Sequence, residues 1–171
     1  MRYHLSDIAH IVGGRLVGCA LEVTSIATDS RSYALTHDTL FVAMQGVNHD
    51  AHDHIAEVAE RGIKAFMVER ETELAEECGA VVVENSLVAL QALAAHHRNQ
   101  FKGTVVGITG SNGKTTVKEW IAQCAPNDVK LFRSPRSYNS QLGVALSLLM
   151  LDNSYDVAII EAGISQKGEM E

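Results

Sequence analysis

Short apolar runs separated by polar turns occupy the whole chain, and their rhythm changes near residue 100. Ile8, Ile11 and Val12 share one face of a helix that Ser6 can cap and Gly13-Gly14 stops. Residues 21–23 alternate as a strand does, and residues 40–44 form a short run suited to a buried strand. Residues 54–61 read as a helix ended by Gly62, followed by a strand over 65–68 and another over 80–83. Asn85 or Ser86 then caps a helix with Leu87, Leu90, Leu93 and Ala94 on one face, and residues 96–102 read as a linker. Beyond it the order becomes regular: a strand over 104–108, a glycine loop, a helix through 118–125, a strand over 129–132, a helix over 141–151 and a strand over 155–160. Strands alternating with helices predict a parallel sheet with right-handed crossovers, whose ligands lie beyond the carboxyl ends of the strands. The expected class is α/β, with a small mixed α/β domain over 1–102 and a parallel-sheet domain over 103–171.

Charge follows the same division. Residues 1–102 carry 8 Lys and Arg against 14 Asp and Glu, a balance of −6, whereas residues 103–171 carry 6 against 7. The whole chain of 171 residues stands at −7, which argues against a general nucleic-acid binder. It leaves room for anionic small ligands, because a few cations and backbone amides can hold a phosphate on an acidic protein. An apolar content of 46% is too high for a disordered tail. Cys19, Cys78 and Cys124 are widely spaced and read as reduced thiols. The first residues hold no apolar signal segment, and no run approaches the roughly 18 residues a membrane span needs. The expectation is a soluble cytoplasmic protein without membrane insertion.

The strongest chemical signal is Gly107-Ile108-Thr109-Gly110-Ser111-Asn112-Gly113-Lys114-Thr115-Thr116, placed after an apolar strand and before a helix. Glycines let the backbone turn its N–H groups toward a phosphate, and the helix start adds the positive end of its dipole. Lys114 supplies a mobile charge for β- and γ-phosphates, and Thr115 a hydroxyl for Mg²⁺. Ile108 stands where the strict G-x-x-x-x-G-K-[ST] pattern has its first glycine, and glycines stand at 107 and 110 instead. The plainer alternative is a glycine-rich strand-to-helix turn with an exposed lysine. Residues 156–161 form an apolar strand ending in Glu161, a carboxylate placed to help hold Mg²⁺ beside such a loop.

These residues carry a resemblance. Residues 109–116 resemble the ATP loop of the Mur ligases, amide-forming enzymes of peptidoglycan synthesis, whose G-x-x-G-x-x-G-K-[ST] form accounts for the displaced glycine. Thr28-Asp29-Ser30-Arg31, then residues 38–46 and 48–54, are similar to that family's "TDSR … LFxAxxG … DGHxF" uridine-nucleotide domain, with Ala51 and Ile55 in place of the usual Gly and Phe. Residues 134–144 and 161–170 resemble the "N-x-N-N-x-I-G-V-P" and "E-x-G-A-N-H-x-G-E-I" stretches of its D-alanyl-D-alanine-adding type (MurF type), with Ser140 replacing an Asn and Gln166 the His. The resemblance covers the whole chain but not a whole enzyme, which implies an N-terminal fragment holding a UDP-binding domain and the first part of an ATP-binding one.

The resemblance implies a ligase that joins UDP-N-acetylmuramoyl-tripeptide to D-alanyl-D-alanine through an acyl phosphate, with ATP and Mg²⁺, the fragment alone being inactive. It implies Lys114 and Asn139 as catalytic residues, and Gly110, Ser111, Asn112, Gly113, Lys114, Thr115 and Thr116 around the ATP phosphates. Thr115 and Glu161 are the implied Mg²⁺ ligands. Ser30 and Arg31 are expected on the uridine diphosphate, with Asn139 and Ser140 near the tripeptide or the γ-phosphate. Arg31 suits that role physically, since an acidic domain needs a local cation for a dianion and a guanidinium binds phosphate through two parallel bonds. Some members of this type are fused to an alanine racemase. The competing readings are another P-loop enzyme, such as a kinase or GTPase, and a non-catalytic ATP- or UDP-binding module; an N-K-x-D guanine reader is absent. His49, His52 and His54 read as a polar substrate loop in preference to a zinc site, His96-His97 as a helix end, residues 69–77 as a solvated acidic stretch, and Trp120 as core packing.

Overall fold

The computed structural model describes residues 1–32, 35–46, 49–135 and 138–164. It divides into two compact units, Met1–Leu93 and Ala94–Glu171. The first unit opens with β1 (Tyr3–His4), α1 (Leu5–Val12), β2 (Arg15–Gly18), β3 (Glu22–Val23), β4 (Ser25–Ala27) and β5 (Thr39–Val42). A 3-10 turn (Ala51–His54), α2 (Ile55–Glu60), β6 (Ala65–Val68) and β7 (Gly79–Val82) follow. Helix α3 (Ser86–Gln100) contains the division between the units. The second unit holds β8 (Thr104–Ile108), α4 (Lys114–Cys124), β9 (Leu131–Arg133), α5 (Gln141–Leu149) and β10 (Val157–Glu161).

In the first unit five strands run in the order β2-β7-β6-β5-β4, parallel from β7 through β4 and antiparallel at β2. Strands β5 and β6 are buried at every position, as expected of central parallel strands covered on both faces. Phe41 and Phe66 meet edge to face at 6.5 Å, and Ile55, Val58 and Ile63 complete the cluster.

The second unit is a three-stranded parallel sheet, β8-β10-β9, with α4 and α5 as its crossovers. The central strand buries Ala158, Ile159 and Ile160. Phe101, Leu151 and Ala158 form the core, with Phe132 and Tyr155 edge to face at 5.4 Å. All three strands point the same way, so the segments after β8, β9 and β10 share one edge of the sheet.

Several expectations change. Helix α1 is entered from β1 and capped at His4, not Ser6, because the Leu5 N–H is already held by the Leu21 carbonyl at 2.9 Å. Residues 96–100 continue α3 and are not a linker; His97 donates from Nε2 to the Leu151 carbonyl at 2.7 Å, and Phe101 is buried just beyond. Asn85, as expected, caps α3 by accepting from the Val88 N–H. Trp120 is 63% exposed and is not core packing. The face of α4 turned inward carries Lys118, which is fully buried, and two residues of helix rotate a side chain by about 200°.

Candidate functional site

Strand β8 ends at Ile108, and the chain turns through Gly110 (φ 143°) and Gly113 (φ 79°) before α4 begins at Lys114. Gly113 is the N-cap, in the left-handed region that favours glycine. Having no side chain, it places no capping oxygen over the first turn of α4, whose backbone donors are left for another acceptor. The helix closes normally behind them, with Val117 N–H on the Gly113 carbonyl at 2.9 Å. Lys114 lies across the loop and donates from Nζ to the Gly110 carbonyl at 2.7 Å. Ser111, Asn112, Gly113, Thr115 and Thr116 are exposed. A glycine loop that opens a helix and carries one lysine is an arrangement able to hold an anion.

Parallel pairing sets Glu161 opposite Ile108, so β10 ends beside the start of the loop. Glu161 is buried and satisfied from several sides. The Thr115 hydroxyl donates to it, shared between Oε1 at 3.0 Å and Oε2 at 2.9 Å. Asn139 Nδ2 donates to Oε1 at 3.1 Å, and Lys118 Nζ lies 3.1 Å from Oε2. Burial alone would raise the Glu161 pKa. The bonds from Lys118, Asn139 and Thr115 outweigh it and hold the carboxyl below its ordinary value, hence ionised. Ser134, one residue past β9, fixes both partners: its hydroxyl accepts from the Glu161 N–H at 3.0 Å and its carbonyl accepts from Lys118 at 2.9 Å. Each of the three strand ends thus delivers part of one constellation.

The structure joins Thr115, Asn139 and Glu161 by hydrogen bonds, with Lys114 next to Thr115 in the chain and bonded to the Gly110 carbonyl. Ser140 uses its hydroxyl to cap α5, accepting from the Gly143 N–H at 3.2 Å. Lys118 and Ser134 belong to the constellation and were not picked out by motif. Lys118 lies three residues after Thr115 on the same helix face, and that spacing is the signal that could have found it.

Thr115 also passes a test of fit for Mg²⁺. A hydroxyl has one proton and two lone pairs, and the proton goes to Glu161, which leaves oxygen lone pairs for a hard cation. Among the described residues no group of three His, Cys, Asp or Glu side chains could hold a metal by itself. Gln166 lies outside the described residues.

In the first unit Ser30 and Arg31 follow β4. Arg31 grips its own neighbour Asp29 through Nε and Nη2, both at 2.9 Å, and this pair holds the Asp29 carboxyl down at about 2. Arg61 donates to the carbonyls of Ser30 and Ser32, tying that loop in place. His52 is buried: its Nε2 accepts from the Glu69 N–H at 2.9 Å, so its proton sits on Nδ1, 2.6 Å from Asp50. His54 meets Glu57. These contacts tie His52 and His54 to neighbouring acids and backbone.

The Mur ligase middle-domain family model matches residues 108–171. The chain is 34% identical over 166 residues to the UDP-N-acetylmuramoyl-tripeptide–D-alanyl-D-alanine ligase of Escherichia coli (strain K12), covering 97% of this chain and 36% of that ligase. It is 32% identical over 171 residues to the ligase of the same description from Bacillus subtilis (strain 168), covering 98% and 37%. A crystal structure of MurF from Acinetobacter baumannii superposes with a TM-score of 0.90 at 29% identity, covering 99% of this chain and 37% of that one. The MurF ligase of Thermotoga maritima in complex with ADP superposes with a TM-score of 0.76 at 32% identity, covering 86% and 34%. The chain spans a little over a third of the curated relatives it matches. On the loop, the strand-end carboxylate and these matches together, the chain belongs to the Mur ligase family, in its MurF type.

Proposed function

We propose that the chain carries the nucleotide-handling part of an ATP-dependent carbon–nitrogen ligase that adds D-alanyl-D-alanine to UDP-N-acetylmuramoyl-tripeptide. The observation that carries this reading is the bond between Thr115 at the mouth of the glycine loop and the buried Glu161 at the next strand's end. Residues 1–102 form the uridine-nucleotide substrate domain and residues 103–171 the first part of the ATP-binding domain. The relatives' descriptions name the substrates, and the Thermotoga maritima structure is a complex with ADP, which agrees with a nucleotide-binding role. The work belongs to the cytoplasm, where nucleotide-linked precursors are made; no described helix is long and apolar enough to cross a membrane.

Bound at the loop, ATP with Mg²⁺ supplies the phosphoryl group that turns a carboxylate into an acyl phosphate open to amine attack. The chain's own residues bind and orient. Backbone donors from Gly110 to Thr116 would hold the phosphates, and Lys114, now on the Gly110 carbonyl, would turn its charge to them. Thr115 and Glu161 would hold the cation, with Thr115 aimed by Glu161. Asn139 is fixed by Glu161 and would meet a transferring phosphate or the acceptor carboxylate. Such positioning and charge neutralisation are the protein's main contribution to phosphoryl transfer. Ser30 and Arg31 face the uridine diphosphate, with Arg31 exchanging Asp29 for phosphate.

Calorimetry of ATP with Mg²⁺ on the wild type and on Lys114→Ala tests the reading. The variant is expected to bind at least about tenfold more weakly, roughly 1.4 kcal/mol. An unchanged dissociation constant would remove the loop from the site. This chain alone, given ATP, Mg²⁺ and both acceptor substrates, is expected to release no amide product.

A further inference from the structure

Lys118 has no role in the reading above, yet among the described residues it is the largest fully buried polar side chain, with no solvent exposure. Its ammonium is fixed at 2.9 Å from the Ser134 carbonyl and 3.1 Å from Glu161 Oε2. Burying a lysine is costly unless its charge is matched, and here the match is the one carboxylate offered to a divalent cation. Lys118 balances Glu161, so the buried pair offers a cation no net negative charge before any ligand arrives. The other Glu161 oxygen receives Asn139, and both share the Thr115 proton. Three donors thus compete with any cation for the carboxylate's lone pairs, and Lys118 already matches its charge.

We propose that Lys118 is a positioning residue that closes this site to a free divalent cation, so that the cation enters only together with a polyphosphate. The proposal rests on the nucleotide reading of the loop. Mg²⁺ and Mn²⁺ need several hard, mostly anionic oxygens, and among the described residues no cluster of acids could supply them unaided. A buried ammonium beside Glu161 repels the incoming ion and holds the carboxylate in one rotamer. A polyphosphate reverses the balance. Its negative oxygens would seat on the helix start and Lys114, and the cation they carry would meet the lone pairs of Thr115, whose hydroxyl keeps donating to Glu161, with that carboxylate beside it. Lys118 thereby couples the two ligands through charge without touching either of them.

The test is Mn²⁺ binding by the nucleotide-free chain, followed by electron paramagnetic resonance of the free ion, for the wild type, Lys118→Met and Lys118→Arg. Wild type is expected to leave Mn²⁺ free up to about 1 mM and, once ATP is added, to bind the Mn²⁺–ATP complex, read as the change beyond that of ATP and Mn²⁺ without protein. Lys118→Met, whose Glu161 has lost its counter-charge, is expected to bind Mn²⁺ without nucleotide at least about tenfold more tightly than wild type, about 1.4 kcal/mol. Lys118→Arg keeps the charge and is expected to keep the refusal. Wild-type binding of Mn²⁺ alone as tight as with ATP overturns the proposal, and so does a folded Lys118→Met that gains nothing. If Lys118→Met does not fold, the wild type decides by itself: uptake of Mn²⁺ without ATP overturns the proposal, and uptake only with ATP, beyond that of ATP and Mn²⁺ without protein, supports it. ATP binding by wild type combined with tight binding of free Mn²⁺ removes this proposal alone, whereas a wild type that binds no ATP, with or without metal, removes the functional reading and this proposal with it.

Discussion

Replacing Lys118 by Met tests how much of the second unit rests on the Lys118–Glu161 pair. The lysine is fully buried, and the Glu161 side chain is 3% exposed. Methionine fills a similar volume, so the change removes the ammonium without opening a large cavity and strands a carboxylate in a poorly hydrated place. Breaking one side of a buried pair costs about 3–5 kcal/mol. A unit the size of Ala94–Glu171 has a total stability of roughly 4–12 kcal/mol, so the single change removes about a quarter or more of it. Adding Glu161→Gln to Lys118→Met removes the stranded charge while keeping an amide oxygen for Thr115. The double variant is therefore expected to be more stable than Lys118→Met by about 1–3 kcal/mol. Urea unfolding followed by tryptophan fluorescence reads this locally, because the chain's single tryptophan, Trp120, lies two residues along the same helix. A loss below about 1 kcal/mol for Lys118→Met, or a double variant no more stable than the single, would refute the reasoning from buried charge.

Two further outcomes follow from local geometry. Gly113→Ala forces a side chain into φ 79°, where its Cβ meets nothing within 4 Å, so the expected cost is backbone strain alone, about 1–2 kcal/mol by the same urea assay. Weaker ATP binding by calorimetry should accompany it. Asp50 is held well below the ordinary carboxylate range by the His52 backbone N–H and by Arg70. Its folded pKa being the lower one, its stabilising contribution is complete above the unfolded value of 3.8 and disappears as pH falls through the folded value. Asp50→Asn should lower the melting temperature at neutral pH and flatten its acid dependence, read by circular dichroism from pH 7 downward; parallel curves for the two proteins would contradict the assignment.

The second unit is legible from sequence because its signals agree with one another. A strand, glycines, Lys-Thr and a helix occur in the order a phosphate cup requires, and Glu161 ends an apolar run. The first unit yields less. Strands β2 and β4 carry no alternating pattern and lie at the two edges of their sheet; they are strands because β7 and β5 offer them hydrogen bonds. Helix α4 misleads for a different reason. Hydropathy nominates Trp120 for the interior, while the helix is turned by Lys118, whose partners Glu161 and Ser134 are 43 and 16 residues away in sequence. Motif reading finds residues of the right type at the right spacing, but it does not reveal when a side chain is already engaged. Arg31, chosen for its free fork, is paired with Asp29, and Ser140 is committed to the start of α5.

Register explains how residues so far apart meet. The interior of β10 is apolar at Ala158, Ile159 and Ile160, all buried, so hydrophobicity by itself penalises a one-residue slip weakly. The acids at its two ends supply what the interior lacks. Asp156 accepts from the Lys130 N–H at 2.8 Å and returns its own N–H to the Lys130 carbonyl at 2.8 Å. Five residues on, Glu161 receives Thr115, Asn139 and Lys118. A slip by one residue would turn Glu161 to the other face of the sheet and leave Lys118 buried without a counter-charge, at a cost no apolar contact recovers. The carboxylate proposed for the cation is thus also the residue that fixes the strand against its neighbours. Only because the strand is fixed do the ends of β8, β9 and β10 bring the loop, Ser134 and Glu161 to one place.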